Sequence, residues 1–179
     1  MILVTTSDYY PKLGGLSTFT KNIEKVLSEL GLEYEIFHWK NRQDIQKISS
    51  EKIQSYSHVI NIHPQFCWEH TVFHHKMINF IHGSEGLMTS PNIVKRLVKL
   101  FKKKNYFKKL EKSYFNIFIS EATFKKTIKR GFTEDYSRDL VVHNCIDTSG
   151  AMFVEKMISS DWVFSCIVRD VPHKNLQGT

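Results

Sequence analysis

The sequence has few cysteines and no pattern among them. Cys67, Cys145 and Cys166 are odd in number and far apart, and no C-x-x-C spacing occurs. A disulfide framework needs paired cysteines, and structural zinc sites space their ligands closely. The cysteines therefore predict reduced, buried thiols rather than cross-links or a metal centre.

Long apolar runs and leader-like segments are also missing. No stretch approaches the roughly 20 apolar residues that span a bilayer. The first residues lack the basic region and hydrophobic core of a signal peptide, so the sequence predicts a cytoplasmic protein. Internal repeats are absent, and 41% hydrophobic and 13% aromatic content in 179 residues is typical of a single folded domain rather than a disordered chain.

The common nucleotide and metal motifs do not occur either. Gly14-Gly15 belongs to neither a G-x-G-x-x-G fingerprint nor a Walker loop, which needs Lys-Ser or Lys-Thr after its last glycine. His70, His74 and His75 follow Glu69 without forming H-E-x-x-H. We therefore expect no metal and no cofactor.

The first feature present is a strand, a glycine loop and an amphipathic helix between Met1 and Gly31. Met1 to Val4 is β-prone, and after Gly14-Gly15 apolar residues recur at three- and four-residue steps, at Leu16, Phe19, Ile23, Val26, Leu27 and Leu30. Gly31 stands where a left-handed C-cap is expected. A strand that passes through paired glycines into a helix exposes backbone N–H groups to anions. A plain tight turn explains the two glycines equally well.

Strand and helix patterns then alternate along the chain. This alternation predicts a Rossmann-like, doubly wound, mainly parallel sheet with helices on both faces. The segment Trp68 to His75 is ambiguous. The predicted strands are Glu33 to Trp39, His58 to His63, Lys76 to His82, Phe115 to Ile119 and Leu140 to Val142, and the predicted helices are Asp44 to Ser55, Pro91 to about Tyr114, and Ser120 to Arg130.

Polar or glycine-rich residues follow five of these strands. Ligands of such sheets bind beyond the carboxyl ends of the strands, so the five ends predict one shared cleft. They are Gly14-Gly15, His63-Pro64, His82 to Glu85, Ser120-Glu121 and His143-Asn144.

The net charge of +7 is concentrated in one predicted helix. Between Lys95 and Lys112 nine lysines or arginines accompany a single acid, Glu111. One interpretation is a solvated face above an apolar stripe. The other is contact with anionic lipid, worth about 1 kcal/mol for each cation near the surface. Nucleic acid is not expected, because no reader motif accompanies the charge. The lysines proposed for membrane contact are Lys99, Lys102, Lys103, Lys104, Lys108 and Lys109.

A family resemblance emerges near the end of the sequence. The apolar run Asp161 to Val168 precedes Arg169-Asp170-Val171-Pro172-His173-Lys174. This segment resembles the Gly-Arg-Leu-x-Pro-x-Lys-Gly segment that opens the second lobe of GT-B retaining glycosyltransferases of family four, also called group 1. Four earlier segments resemble the family's first loop and helix, its strand ending in His, its strand-Ser-helix unit and its interlobe linker, namely Tyr9 to Gly31, Ile78 to Gly83, Phe115 to Phe132 and Val141 to Asp147.

The resemblance implies an activity and roles for particular residues. It implies transfer of a hexosyl group, with retention, from a nucleotide-sugar to a polysaccharide, lipopolysaccharide or lipid-linked acceptor, without a metal. Arg169 and Lys174 would hold the donor diphosphate, which Gly14 and Gly15 approach from the opposite lobe. His82 would be catalytic beside the donor sugar. The other cleft residues would be Ser120, Glu121 and Asn144.

The resemblance also implies a division of the chain. Residues 1–150 would form the acceptor-side lobe, 151–160 the linker, and 161–179 the first strand and donor-phosphate turn of the second lobe. Because the family's base pocket and paired glutamates have no counterpart here, this chain alone is expected to be inactive. It would need a separate second-lobe partner or a homo-oligomer. His143, Cys145 and Asn175 stand where the family has Pro, Gly and Gly.

Two other function classes stay open. The chain can be read as a non-catalytic half of a split glycosyltransferase, or as a subunit that binds glycan or membrane. It can also be read as an unrelated α/β nucleotide-binding protein. Gathering of the five strand ends on one edge favours the glycosyltransferase over the last of these.

Overall fold

The computed structural model describes residues 1–11, 14–63, 65–83 and 105–143 of the chain. In this part, six strands pair in parallel in the order β2-β1-β3-β4-β5-β6. The predicted α/β, Rossmann-like sheet is therefore confirmed. The strands are β1 (Ile2–Thr6), β2 (Tyr34–His38), β3 (His58–Asn61), β4 (Met77–Ile81), β5 (Phe115–Phe118) and β6 (Asp139–Val141).

Helical segments connect these strands. The segment Trp68 to His75, which the sequence leaves ambiguous, includes the end of a short α-helix and most of a 3-10 helix. The segments are α1 (Gly15–Glu29), α2 (Arg42–Lys47), α3 (Ser50–Ser55), α4 (Gln65–Glu69), the 3-10 helix Thr71–Lys76, α5 (helical residues 105–110) and α6 (Glu121–Ile128).

The strand order reverses between β1 and β3. The chain leaves β1 towards β2 on one side, and all later strands add on the other side. Connections on the two sides of such a point diverge, which opens a crevice at the carboxyl ends of the strands. The loops after β1 and β3 therefore border the most favourable ligand position in this sheet.

Helices cover both faces of the sheet. Alternation along β1 directs Val4 to the face that α1 covers, and Leu3 to the opposite face. The α1 face has a core of Val4, Leu27, Ile60 and Ile62, with half-buried Leu16, Phe19 and Ile23 of α1 against it. The opposite face is packed by α2, α3, α4 and the 3-10 helix near β1, β3 and β4, and by α5 and α6 near β5 and β6.

A row of buried polar side chains crosses the sheet on the face opposite α1. The five residues are direct partners in the parallel register of neighbouring strands, and none is more than 5% exposed. We call this row, formed by Thr5, Asn61, Asn79, Asn116 and Asp139, the polar ladder.

The polar ladder divides the apolar core on its face into two clusters. Residues two positions before it on β1, β3 and β4 belong to the first cluster, and residues two positions after it on β4, β5 and β6 belong to the second. The first set is Leu3, Val59 and Met77, and the second is Ile81, Phe118 and Val141.

The predicted helix from Asp44 to Ser55 is wrong as a single element. The chain breaks between α2 and α3 at Ile48, whose backbone is extended. The Ser49 hydroxyl accepts a hydrogen bond from the Lys52 N–H at 3.1 Å and caps a new helix. A serine at this position favours starting a helix over continuing one.

The basic helix ends earlier than predicted. Its helical residues stop at Leu110 rather than near Tyr114. The N–H groups of Lys112 and Ser113 bond to carbonyls three residues back, and the Tyr114 N–H bonds to the His74 carbonyl at 3.0 Å. The chain thus leaves the helix in a tight turn to enter β5. Residues 91–104 lie outside the described part of the chain.

Two glycines end helices as the sequence predicts. Gly31 follows α1 with φ of 65°, and Gly131 follows α6 with φ of 94°. These left-handed conformations favour glycine. The predicted strand at 161–168 and the proposed domain boundaries near 150 and 160 fall outside the described residues and stay predictions.

Candidate functional site

The parallel sheet brings the predicted strand ends to one edge. Gly14-Gly15 follow β1, His63 follows β3, His82 follows β4, and Ser120 follows β5. Because β1, β3 and β4 are neighbours, the first three of these ends lie side by side at the order reversal. Ser120 lies one strand beyond His82. Of the fifth end, His143 is described and exposed after β6.

No side chain in the described part of the chain caps the N-terminus of α1. Its N-cap is Gly14, with extended backbone, and its first turn contains no acid. The first intrahelical bond runs from the Thr18 N–H to the Gly14 carbonyl at 3.0 Å, so the N–H groups before it have no intrahelical acceptor. A Cβ placed on Gly15 would meet no atom of residues 1–11, 14–63, 65–83 or 105–143 within 4 Å. This helix end is therefore suited to an anion.

His82 packs against the first turns of α1. Its ring lies 4.6 Å from that of Phe19, at an interplanar angle of 86°, and 6.5 Å from that of Phe80. Phe19 is four residues into α1 from Gly15, so His82 lies about one helical turn from the helix end. The imidazole and the open N–H groups of α1 thus share one side of the sheet edge.

Ser120 and Glu121 serve their own helix. The Ser120 hydroxyl accepts a hydrogen bond from the Thr123 N–H at 3.2 Å, which caps α6. Glu121 lies in the first helical turn, where a carboxylate complements the helix dipole, 3.7 Å from the ammonium of Lys125. The N-terminus of α6 thus has a side-chain cap, whereas no described side chain caps that of α1.

Sequence reasoning missed the aromatic residues of the loop after β1. The Tyr9 hydroxyl donates to Glu24 of α1, 3.0 Å from each carboxylate oxygen, and its ring lies 6.3 Å from that of His38, the last residue of β2. Burial and the Glu24 carboxylate raise the pKa of Tyr9. The Lys21 ammonium lies 4.1 Å above the exposed ring of Tyr10. The consecutive tyrosines were visible in the sequence, but their partners depend on the fold.

Trp39 adds a buried donor close to the order reversal. Its side chain is 3% exposed, its ring centroid lies 5.4 Å from that of His63, and its indole N–H has no hydrogen-bond partner among the residues that the structure describes. An unsatisfied buried donor carries a free-energy cost. It is the kind of group that a ligand oxygen can satisfy.

The histidines before β4 have structural roles. His70 Nε2 donates to the Ile45 carbonyl at 2.9 Å, and His74 Nε2 donates to the Cys67 carbonyl at 3.0 Å. Cys67 is a buried free thiol, as predicted, and burial raises its pKa to about 11. Among the residues that the structure describes, no group of three or more His, Cys, Asp or Glu is arranged to hold a metal.

His74 is expected to make stability fall in mild acid. Burial lowers its pKa below the ordinary 6.5, and the charges of Lys109 and Lys112 act in the same direction. As the pH falls from about 7.5 to 5.5, the unfolded chain gains this proton before the folded chain does, so unfolding becomes more favourable. Urea denaturation of His74→Gln should show a weaker loss of stability over this range than wild type.

The adjacent exposed His75 offers a matched control for this measurement. His75→Gln should retain most of the wild-type pH dependence, because burial is the main cause of the lowered His74 pKa and the charge of His75 is the smallest of the named contributions. Equal pH dependence of wild type and His74→Gln would contradict the assignment.

Several predicted site residues lie outside the described part of the chain. Of the lysines proposed for membrane contact, Lys108 is exposed, whereas Lys109 is half-buried with its charge close to Cys67 and His74. The outlying residues are Arg169, Lys174, Asn144, Lys99, Lys102, Lys103 and Lys104.

No family model and no curated protein matches the chain. Any functional assignment therefore depends on the residues and geometry described above. None of the described helices has the length and apolar character needed to cross a membrane.

A groove of about 570 Å³ lies at the end of the sheet opposite the candidate site, where the strands begin. Its lining residues precede β5 and β6, so it opens at the amino ends of these strands. Its lining combines three carboxylates, a phenol, a hydroxyl and one guanidinium, from Glu111, Glu134, Asp135, Tyr136, Thr133 and Arg138. This groove is separate from the edge that carries Gly15 and His82.

Proposed function

We propose that the chain is the acceptor-side lobe of a glycosyltransferase. In the complete enzyme, a hexosyl group would pass from a nucleotide-sugar to a polysaccharide, lipopolysaccharide or lipid-linked acceptor with retention. One observation carries this proposal, namely the uncapped N-terminus of α1 beside His82 at the order reversal of the sheet. The sequence resemblance supplies the reaction class.

The charge of the donor accounts for the role of α1. Negative charge grows on the diphosphate as the glycosidic bond to the nucleotide breaks. The N–H groups at Gly14 and Gly15 and the positive end of the α1 dipole would stabilise this charge. Arg169 and Lys174 would add two cations from the second lobe, with arginine as a bidentate fork and lysine as a point charge.

In this proposal His82 would contact the sugar that follows the diphosphate. Its ring is held by Phe19 and Phe80, which limits its orientation before any ligand binds. In the proposed reaction it would hydrogen-bond a sugar hydroxyl or polarise the reacting centre. Contact of the basic helix with anionic lipid would bring a lipid-linked acceptor to this lobe, with exposed Lys108 among its cations.

Replacing Gly15 by aspartate tests the anion site. We expect the full chain to show measurable binding of UDP-glucose or GDP-mannose in isothermal titration calorimetry, through their diphosphate. Gly15→Asp should bind at least about tenfold more weakly, because its carboxylate occupies the positive helix end and repels the diphosphate. The matched control is Gly15→Asn, which has nearly the same shape without the charge and should bind more tightly than Gly15→Asp.

The outcomes separate the function classes. Equal affinity of the Asp and Asn variants would exclude the diphosphate from the N-terminus of α1. Binding accompanied by slow hydrolysis of the donor supports an enzyme. No binding of either nucleotide-sugar by wild type favours the non-catalytic binding subunit instead.

A further inference from the structure

The hydrogen bonds of the polar ladder all run in one direction. Thr5 Oγ1 donates to Asn61 Oδ1 at 2.8 Å, and Asn61 Nδ2 donates to Asn79 Oδ1 at 2.7 Å. Asn79 Nδ2 then donates to Asn116 Oδ1 at 3.1 Å, and Asn116 Nδ2 donates to Asp139 Oδ1 at 2.8 Å. Each amide accepts from one side and donates to the other, so the direction of one bond sets that of the next.

Asp139 of β6 sets the direction of the hydrogen bonds in the polar ladder. Both carboxylate oxygens of Asp139 are acceptors, Oδ1 for Asn116 and Oδ2 for the Asp135 N–H at 2.7 Å. Asn116 Nδ2 also donates to the Leu110 carbonyl at 2.9 Å. An ionised carboxylate and a carbonyl can only accept, so the amide group of Asn116 must point its NH₂ towards both. The opposite orientation would place oxygen against oxygen.

The orientation of Asn116 then propagates through the row. Its Oδ1 faces β4 and requires a donor, which Asn79 supplies, and the same requirement passes to Asn61 and Thr5. With strands about 4.8 Å apart, four steps carry this requirement about 19 Å across the sheet. Asn61 is the last residue of β3 and Thr5 the next to last of β1, so both lie beside the order reversal.

We propose that the Asp139 carboxylate orients and polarises the entire ladder, so that a proton gained by Asp139 is felt at Asn61 and Thr5. A protonated carboxyl group has an O–H that needs an acceptor, yet both of its present partners are donors, and its remaining carbonyl oxygen is neutral. Protonation on either oxygen therefore removes the charge assistance from the bond that Asn116 donates. Loss of this charge assistance weakens each bond upstream, because linked hydrogen bonds polarise one another. The coupling runs from β6 to the strands that border the candidate site.

The charges around Asp139 are few and of both signs. Its own loop provides Arg138 and Asp135, and Lys109 and Glu111 flank Leu110 at the end of α5. Burial raises the pKa of Asp139 above its ordinary 3.8, while the Asn116 bond, the Asp135 N–H and Arg138 oppose this rise. The proton is therefore gained at higher pH than by an exposed aspartate, within reach of a titration of the folded chain.

Nuclear magnetic resonance of the full 15N-labelled chain tests the coupling. Between pH 7.5 and 4, we expect the side-chain amide signals of Asn61, Asn79 and Asn116 to shift with one common midpoint, that of the Asp139 carboxyl carbon. The variant Asp139→Asn should abolish this shared shift. The matched control Asp135→Asn removes a neighbouring carboxylate that accepts from Ser137 and Arg138 outside the ladder, and should retain it.

Each contrary outcome overturns the proposal. Shifts confined to Asn116 and the Asp135 amide would show that the proton is felt only locally. A shift of Asn61 that persists in Asp139→Asn would have another source, such as His74. If Asp139→Asn does not fold, the wild-type titration still decides, because an Asn61 midpoint different from that of Asp139 contradicts the coupling.

Discussion

Replacing Asn79 by leucine should lower the free energy of unfolding by about 2–6 kcal/mol. Asn79 is fully buried at the centre of the polar ladder, where it accepts from Asn61 and donates to Asn116. Leucine matches its size but leaves one buried donor and one buried acceptor without partners, and each costs about 1–3 kcal/mol. Urea denaturation monitored by circular dichroism measures this loss.

A partly exposed asparagine provides the control. Asn22→Leu on α1 lies outside the ladder and should change stability by no more than about 0.5 kcal/mol. A similar small effect for Asn79→Leu would mean that the neighbouring amides find other partners, and that the row does not act as a connected network.

Truncating Phe118 to alanine should lower the free energy of unfolding by about 3–5 kcal/mol. Its side chain is fully buried in the second core cluster, with ring centroids 4.8 Å from Phe124 and 5.8 Å from Phe132. Removing the ring leaves a cavity that strand and helix cannot easily close, because α6 and the loop after it are held by these contacts. Thermal and urea unfolding both report the change.

Tyr136 is the matched aromatic control for Phe118. Its ring also packs near Phe124, at 6.3 Å, but is 73% exposed. Tyr136→Ala should therefore lower the free energy of unfolding by less than about 1 kcal/mol. Equal losses for the two variants would show that the cluster is not a packed core around Phe118.

The sequence identified the sheet well because strand signals were local. The segments ending at His63 and His82 are apolar runs stopped by proline or glycine, and β3 and β4 lie within them. The break at Ser49 was missed because the isoleucines on both sides continue a helical spacing, while the cap that interrupts it depends on one hydroxyl. The order of the strands in the sheet could not be predicted from local sequence patterns, because it depends on which helices pack on each face.

The candidate site was predictable only in part. Parallel strands require their carboxyl ends to share an edge, so the location of Gly15 and His63 at the same edge followed from fold class alone. The contact of Phe19 with His82 required the position of α1 on the sheet. Asn61, Asn79 and Asn116 each interrupt an apolar strand. Because asparagine is depleted in strands, these positions were a signal in the sequence for the polar ladder. Only the register showed that these residues meet.

The division of one core into two clusters has a consequence for how the molecule opens. Across the boundary, the two halves share backbone pairing, the polar ladder and a few contacts of the turn before β5, such as the bond from the Tyr114 N–H to the His74 carbonyl. Little apolar surface interlocks between the two clusters on that face. Segments with separate cores can open independently as cooperative units. If β5 and β6 separate transiently from β4, the first core cluster around β1 and β3 would stay packed. We therefore expect the backbone amide protons of the two halves to exchange with solvent at different rates.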